Sequence, residues 1–254
     1  MTTIKEKLLV FLRGDYNSVR YRWYRLPREH LSLFFRYRLM GRSWINFYAD
    51  RMDGFQQGGS ASLPLKSAYL ESAIADFEYI KSHGLEPDHA FLDYGCGVLR
   101  TGAHIIRYLE SGSYIGVDIS GERIAKGRRL LAESGIPEDA YTTHTVLDAE
   151  LRELAGQRFD FVWALSVINH MPERDIRVFL KALRPLLKED GQFLFIFNVD
   201  EKIRRMRIKD WWYPEPLMRR WCEEAGFQYE ILPDYEVTRD YTLMARLTLP
   251  AADA

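Results

Sequence analysis

Cysteine is scarce, with only Cys96 and Cys222 among 254 residues. Two thiols make no disulfide framework, so the expectation is a reducing compartment and a cytoplasmic location. Long apolar runs are missing too. The opening MTTIKEKLLVFLRGD holds one short apolar stretch, broken by Arg13, and lacks a clear signal peptide. No run in the sequence approaches the roughly 20 residues that cross a bilayer. Net charge is nearly absent: 35 Lys and Arg against 36 Asp and Glu give −1. Whole-molecule attraction to nucleic acid is therefore not indicated. The six histidines show neither H-E-x-x-H nor any paired metal spacing, so no metal site is expected. Repeats and low-complexity tracts are also lacking. What remains is 47% hydrophobic and 28% charged, the composition of one large globular domain or one domain with an extension.

The small net charge hides an uneven distribution. Met1 to Asp53 carries eleven basic and five acidic residues, an excess of six positive charges, which leaves −7 on the remainder. The same segment holds eleven aromatics, Trp23, Trp44, Phe47 and Tyr48 among them. Two readings stand. One is a helical extension that packs its aromatics on the main domain and leaves its arginines in water. The other is a surface that meets an anionic membrane face, a lipid-linked substrate or an acidic partner. No RNA- or DNA-binding motif accompanies it. Residues 54–64, GFQQGGSASLP, read as a linker. They divide a basic, aromatic extension (1–64) from a main domain (65–254).

Within the main domain, KSAYLESAIADFEYIKSHG predicts a helix with Leu70, Ile74, Phe77 and Ile80 on one face. From residue 90 the pattern alternates. AFLDYG, SYIGVDIS, YTTHTVLDA and RFDFVWALSV read as strands, with helices TGAHIIRYLE and GERIAKGRRLLAESG after the first two. Pro172 opens a helix carrying Ile176, Phe179, Leu180, Leu183 and Leu187, which Gly191 ends. QFLFIFN is a fifth strand; a basic loop and the helix EPLMRRWCEEAG follow. FQYEIL and YTLMARLTL have no helix-length segment between them, so they pair antiparallel. The expected fold is α/β: a doubly wound, seven-stranded, mostly parallel sheet with an antiparallel C-terminal hairpin, plus a helical N-terminal extension.

Four motifs sit at the strand ends in order: LDYGCG (Leu92–Gly97), GVDIS (Gly116–Ser120), LDAE with Asp148 and Ala149, and FDFVWALSVINHMP (Phe159–Pro172). Together with the closing hairpin and LRPLLKEDGQFLF, they resemble the class I S-adenosylmethionine-dependent methyltransferases over residues 65 to 250. A nicotinamide-binding loop would require glycine at Arg100. The methyltransferase pattern departs only at Leu99, and Gly102 restores close helix packing. The resemblance implies S-adenosyl-L-methionine as cofactor and S-adenosyl-L-homocysteine as product. Gly95 and Gly97, flanking Cys96, would offer bare backbone to the cofactor. Asp118, followed by Ile119, would accept from the ribose hydroxyls. Asp148, beside the Ala149 backbone, would accept from the adenine amino group, with Leu165 completing the site. Asp93 either orders the loop or faces the methionine amine. Tyr48, Arg51 and Lys66 lie within reach of the methionine carboxylate. Asp160 begins a strand and reads as structural.

Methyl transfer to a protonated nucleophile needs a base, and His170 follows the fourth strand where such a group belongs. Asn169 beside it is a candidate for positioning the substrate. The loop lacks [DN]-P-P-[YF], and no Pro-Cys dipeptide offers a nucleophile, which argues against DNA bases as acceptors. Residues 201–216 are basic and aromatic. They read either as a solvated loop with tucked tryptophans or as a pocket for an anionic, aromatic or sugar acceptor, using Arg204, Arg207, Trp211, Trp212 and Tyr213. The expected activity is methylation of oxygen or nitrogen on a small-molecule or glycan- or lipid-linked acceptor. The alternatives are a nicotinamide oxidoreductase, and a non-catalytic relative that binds a membrane surface or partner through its basic N-terminal segment.

Overall fold

Phe193 to Phe197, FLFIF, are all buried, so the strand that carries them is covered on both faces. In the computed structural model this stretch is the middle of β5 (Leu187–Val199). The structure describes residues 43–57, 73–206, 209–235 and 241–251, with 28, 31, 35 and 71 as isolated positions. β1 (Ala90–Tyr94), β2 (Ser113–Asp118), β3 (Thr142–Thr145) and β4 (Phe159–Ala164) join β5 in the parallel order β3-β2-β1-β4-β5. β9 (Thr242–Thr248) runs antiparallel beside β5, and β8 (Gln228–Leu232) antiparallel beside β9. These are the seven expected strands and the expected closing hairpin.

Helices cover both faces. On one side α5 (Glu173–Leu183) and α6 (Glu215–Glu224) pack Phe179, Leu180 and Trp221 against the sheet. On the other, α2 (Ile74–Ser82), α3 (Gly102–Tyr108) and α4 (Gly121–Glu133) contribute Ile80, Ile105 and Leu131. α1 (Trp44–Gln57) lies over the carboxyl edge of the sheet and against α4, with Ile45 in the main core and Trp44, Phe47 and Tyr48 buried.

The structure departs from the sequence reading in four places. The basic loop after β5 is a hairpin, β6 (Arg204–Met206) against β7 (Asp210–Tyr213). β4 ends opposite Phe195, and β7 takes up the pairing with β5 at Asn198 and Val199. Second, the helix begun at Pro172 stops at Leu183, because Pro185 cannot continue its hydrogen bonds. Leu187 opens β5, and Gly191 lies inside that strand, where a Cβ would come 2.7 Å from the Phe159 carbonyl. Third, Ile74 starts α2 and is 53% exposed, so the expected apolar face buries Ile80 without it; Leu70 lies outside the described residues. Finally, the first four linker residues, 54–57, close α1.

Candidate active site

The glycine loop after β1 is held to β2 by two hydrogen bonds, from the Gly95 and Cys96 amides to the Val117 carbonyl at 2.7 and 2.9 Å. Gly95 has φ +86°, and a Cβ there would meet Val167 Cγ2 at 2.2 Å. Gly97 has φ +57°, with Arg123 Nη2 2.5 Å from where its Cβ would lie. Gly95 is thus required by backbone and space, whereas at Gly97 a Cβ would displace the end of the Arg123 side chain. Leu99 has φ +58° and is fully buried. The chain makes the left-handed turn here without glycine, at a cost of about 1–2 kcal/mol that burial of the leucine side chain offsets. Gly127 of α4 lets that turn approach: a Cβ on it would touch the Val98 backbone at 2.7 Å.

Asp118 ends β2 with both carboxylate oxygens directed. Oδ2 accepts from the Gly97 amide and Oδ1 from the Ser120 amide, each at 2.9 Å. Burial pushes its carboxyl up, opposed by the Arg123 charge and these two amides. Each oxygen retains acceptor capacity. Next to it opens a cavity of about 240 Å³, with Tyr94 and Gly95 on its floor, Ile119 and Val146 on one side, and Leu165, Ser166 and Val167 from the end of β4 on the other.

α1 forms the roof with Trp44, Ile45, Tyr48 and Met52. Three hydrogen bonds tie it down across the whole cleft. Trp44 Nε1 donates to the His170 carbonyl (2.8 Å), Asn46 Nδ2 donates to the Leu147 carbonyl (3.1 Å), and Ser120 Oγ donates to Asp53. Tyr48 sits inside, its ring 5.4 Å from that of His170. Burial and the Asp210 charge push its phenol above the ordinary value, so it stays protonated.

His170 closes the short 3₁₀ turn Ile168–His170 after β4 and lines the cavity. Its Nδ1 lies 3.1 Å from Asp210 Oδ1 and 3.2 Å from the Lys209 carbonyl. Burial pushes the Asp210 carboxyl up, but the hydrogen bond with His170 and the Lys209 charge outweigh it and hold the carboxyl below its usual range. Tyr213 donates to the Met171 carbonyl at 2.7 Å, so β7 grips the turn at two successive residues.

Of the residues singled out in the sequence, Gly95, Asp118, Ile119, Leu165 and His170 line the cavity. Gly97 acts through its amide on Asp118. Asp93 is buried behind the loop, where Tyr114 donates to its Oδ2 at 2.7 Å. That bond ties the end of β1 to β2. Others are not part of the cavity lining. Cys96 is buried, with its sulfur 3.1 Å from where a Gly116 Cβ would lie, and burial pushes its thiol up. Asp148 caps its own turn through the Glu150 amide, and Ala149 packs in the core. Asn169 is buried, with no hydrogen-bond partner for Oδ1 among the described residues. The tryptophans tuck under arginines. Arg204 pairs with Asp200 and covers Trp212, Arg205 lies between Trp44 and Trp211, and Tyr213 is spent on Met171. Arg207 and Lys66 lie outside the described residues. Arg123, Asp210, Ile45 and Met52 were not singled out. Their only signal was the charged or aromatic character of their segments.

The residues fit a nucleoside bearing a charged tail. The Asp118 oxygens suit a ribose diol, Ile119 and Val146 give an apolar wall, and Arg123 carries a buried Nε without a hydrogen-bond partner among the described residues. Those residues hold no group of three or more His, Cys, Asp or Glu placed for a metal ion.

This fold is that of the class I, Rossmann-like S-adenosylmethionine-dependent methyltransferases. Residues 92–193 match the family model described as a methyltransferase domain. Methyltransferase GfsG of Streptomyces halstedii is 30% identical over 100 residues, covering 38% of this chain and 34% of that protein. The 2-methyl-6-phytyl-1,4-hydroquinone methyltransferase of Synechocystis is 26% identical over 178 residues, covering 68% of this chain and 52% of the relative. Matches to these curated relatives thus span a third to a half of their length. Among solved structures, magnesium protoporphyrin IX methyltransferase from Synechocystis with bound S-adenosylmethionine superposes with a TM-score of 0.61 at 15% identity, covering 82% of this chain and 98% of the other. At that identity the likeness is one of fold.

Proposed function

We propose that this chain transfers the methyl group of S-adenosylmethionine to an oxygen or nitrogen of a small-molecule or glycan- or lipid-linked acceptor, working in the cytoplasm or at the face of an anionic membrane. The observation that carries the reading is the cavity between Asp118 and His170, roofed by α1. When bound there, S-adenosylmethionine supplies an electrophilic methyl on a sulfonium. Asp118 orients the ribose, the loop from Gly95 to Gly97 admits the cofactor against bare backbone, and Trp44, Tyr48 and Met52 exclude water. His170 takes the proton from the acceptor.

Several features support the acceptor class. The reaction end is walled by Val167, Met171, Ile45 and aromatic rings, with Lys209 as its cation. This suits a flat, largely apolar molecule with an acidic or anionic edge. Ile203 and Tyr241, 46% and 41% exposed near the basic hairpin, suit a lipid-borne one. The acceptor named for the Synechocystis relative is a phytylated hydroquinone.

Label transfer tests the reading. Methyl-tritiated S-adenosylmethionine is incubated with a hydroquinone, a sugar phosphate and anionic lipid vesicles. Label is expected in at least one, and His170→Gln should lower the rate at least about 100-fold. Transfer undiminished in His170→Gln would remove the histidine from its role. No transfer to any of the three would count against this acceptor class.

A further inference from the structure

His170 meets two groups through one nitrogen. Nδ1 faces the Asp210 carboxylate at 3.1 Å and the Lys209 carbonyl at 3.2 Å. Neither partner carries a hydrogen to give, so Nδ1 must carry it. We propose that Asp210 is a positioning residue, which with the Lys209 carbonyl holds His170 as the Nδ1–H tautomer and leaves Nε2 as the proton acceptor in the cavity. The inference rests on the methyltransferase reading for its chemistry but not for its geometry.

The surroundings favour this arrangement. β7 continues the sheet past the end of β4, so Asp210 is carried on a strand, and Tyr213 on the same strand anchors Met171. The Trp44 indole fixes the His170 carbonyl from the other side. The charged and titratable groups around the pair are Lys209, whose Nζ is 3.5 Å from Asp210 Oδ1, Tyr48 from α1, and Asp118 and Arg123 along the cavity. When an acceptor hydroxyl gives its proton to Nε2, the imidazolium that forms already faces a carboxylate. An acceptor attacking through a neutral hydroxyl gains most from such a base, which deepens the acceptor class to molecules bearing an O–H nucleophile.

Nitrogen-15 spectroscopy of the histidine rings reads the tautomer directly, with His170→Gln identifying the resonances. In the wild type the neutral ring should be the Nδ1–H form. In Asp210→Asn the carboxamide can donate to Nδ1, and the ring should shift toward Nε2–H; Asp210→Glu should restore the first form. Reciprocally, the Asp210 carboxyl, held low by His170, should titrate higher in His170→Gln. This readout stands even where Asp210→Asn fails to fold. A wild-type ring in the Nε2–H form, the same tautomer in folded Asp210→Asn, or an Asp210 carboxyl indifferent to His170→Gln would each overturn the proposal. Calorimetry with S-adenosylmethionine on the same samples separates the two claims. Asp210→Asn should bind it as the wild type does. A wild type that binds none would sink the methyltransferase reading and leave the tautomer result standing.

Discussion

The Tyr114 hydroxyl reaches Asp93 only because residue 102 has no side chain; a Cβ on Gly102 would lie 2.3 Å from it. This single contact serves a fully buried acid, and burial pushes the Asp93 carboxyl from 3.8 to about 7 despite the hydrogen bond from Tyr114. Between those values the folded protein holds a proton that the unfolded chain has released. The stability linked to this group is therefore full below about pH 4 and is lost as pH rises through about 7. Asp93→Asn keeps an acceptor for Tyr114 and cannot ionise. Its melting temperature relative to wild type should climb from about pH 5 to about pH 8. A difference that stays flat across that range would show that Asp93 does not titrate there. Nearby, Leu99 shows what the sequence could not display. Its departure from the glycine pattern does not change the turn, because the backbone takes φ +58° anyway and the core holds the leucine in place.

At the scale of elements, α1 is the piece whose role had no local mark. Trp44 bonds to a carbonyl 126 residues away and Asn46 to one 101 residues away. Pairings at that separation leave no periodicity in the sequence, only an aromatic-rich segment open to two readings. β1, β2, β4 and β5 were legible because their apolar runs are bounded by glycine, acid or turn residues. The β6–β7 hairpin was not, because strands of three and four residues, one rich in arginine, look like a loop. Gly191 misled as a helix stop because Pro185 had already ended the helix, and the glycine serves the close pass of β5 against Phe159. If α1 roofs the cofactor, S-adenosylhomocysteine should slow amide hydrogen exchange across residues 44–53. Trp44→Phe, which loses the bond to His170, should weaken that protection several-fold. Exchange in α1 unchanged by ligand would remove the helix from the site.

At the scale of the molecule, the sheet brings chemistry from distant parts of the chain to one carboxyl edge. Asp118 comes from β2, His170 from beyond β4, Asp210 from β7 and the roof from the N-terminal segment. The fold class could be read from motif order, and so could the acid that ends β2, Asp118. The acid behind His170 and the roof could not, since they meet the site only through the sheet's topology. No helix among the described residues is long and apolar enough to cross a membrane. The central claim is that this edge binds S-adenosylmethionine through Asp118. Calorimetry of S-adenosylmethionine and S-adenosylhomocysteine on wild type and Asp118→Ala tests it most directly. The account predicts binding of both by the wild type and at least about a 100-fold loss in the variant, the equivalent of two hydrogen bonds to a charged group. Folded wild-type protein that binds neither ligand would contradict it.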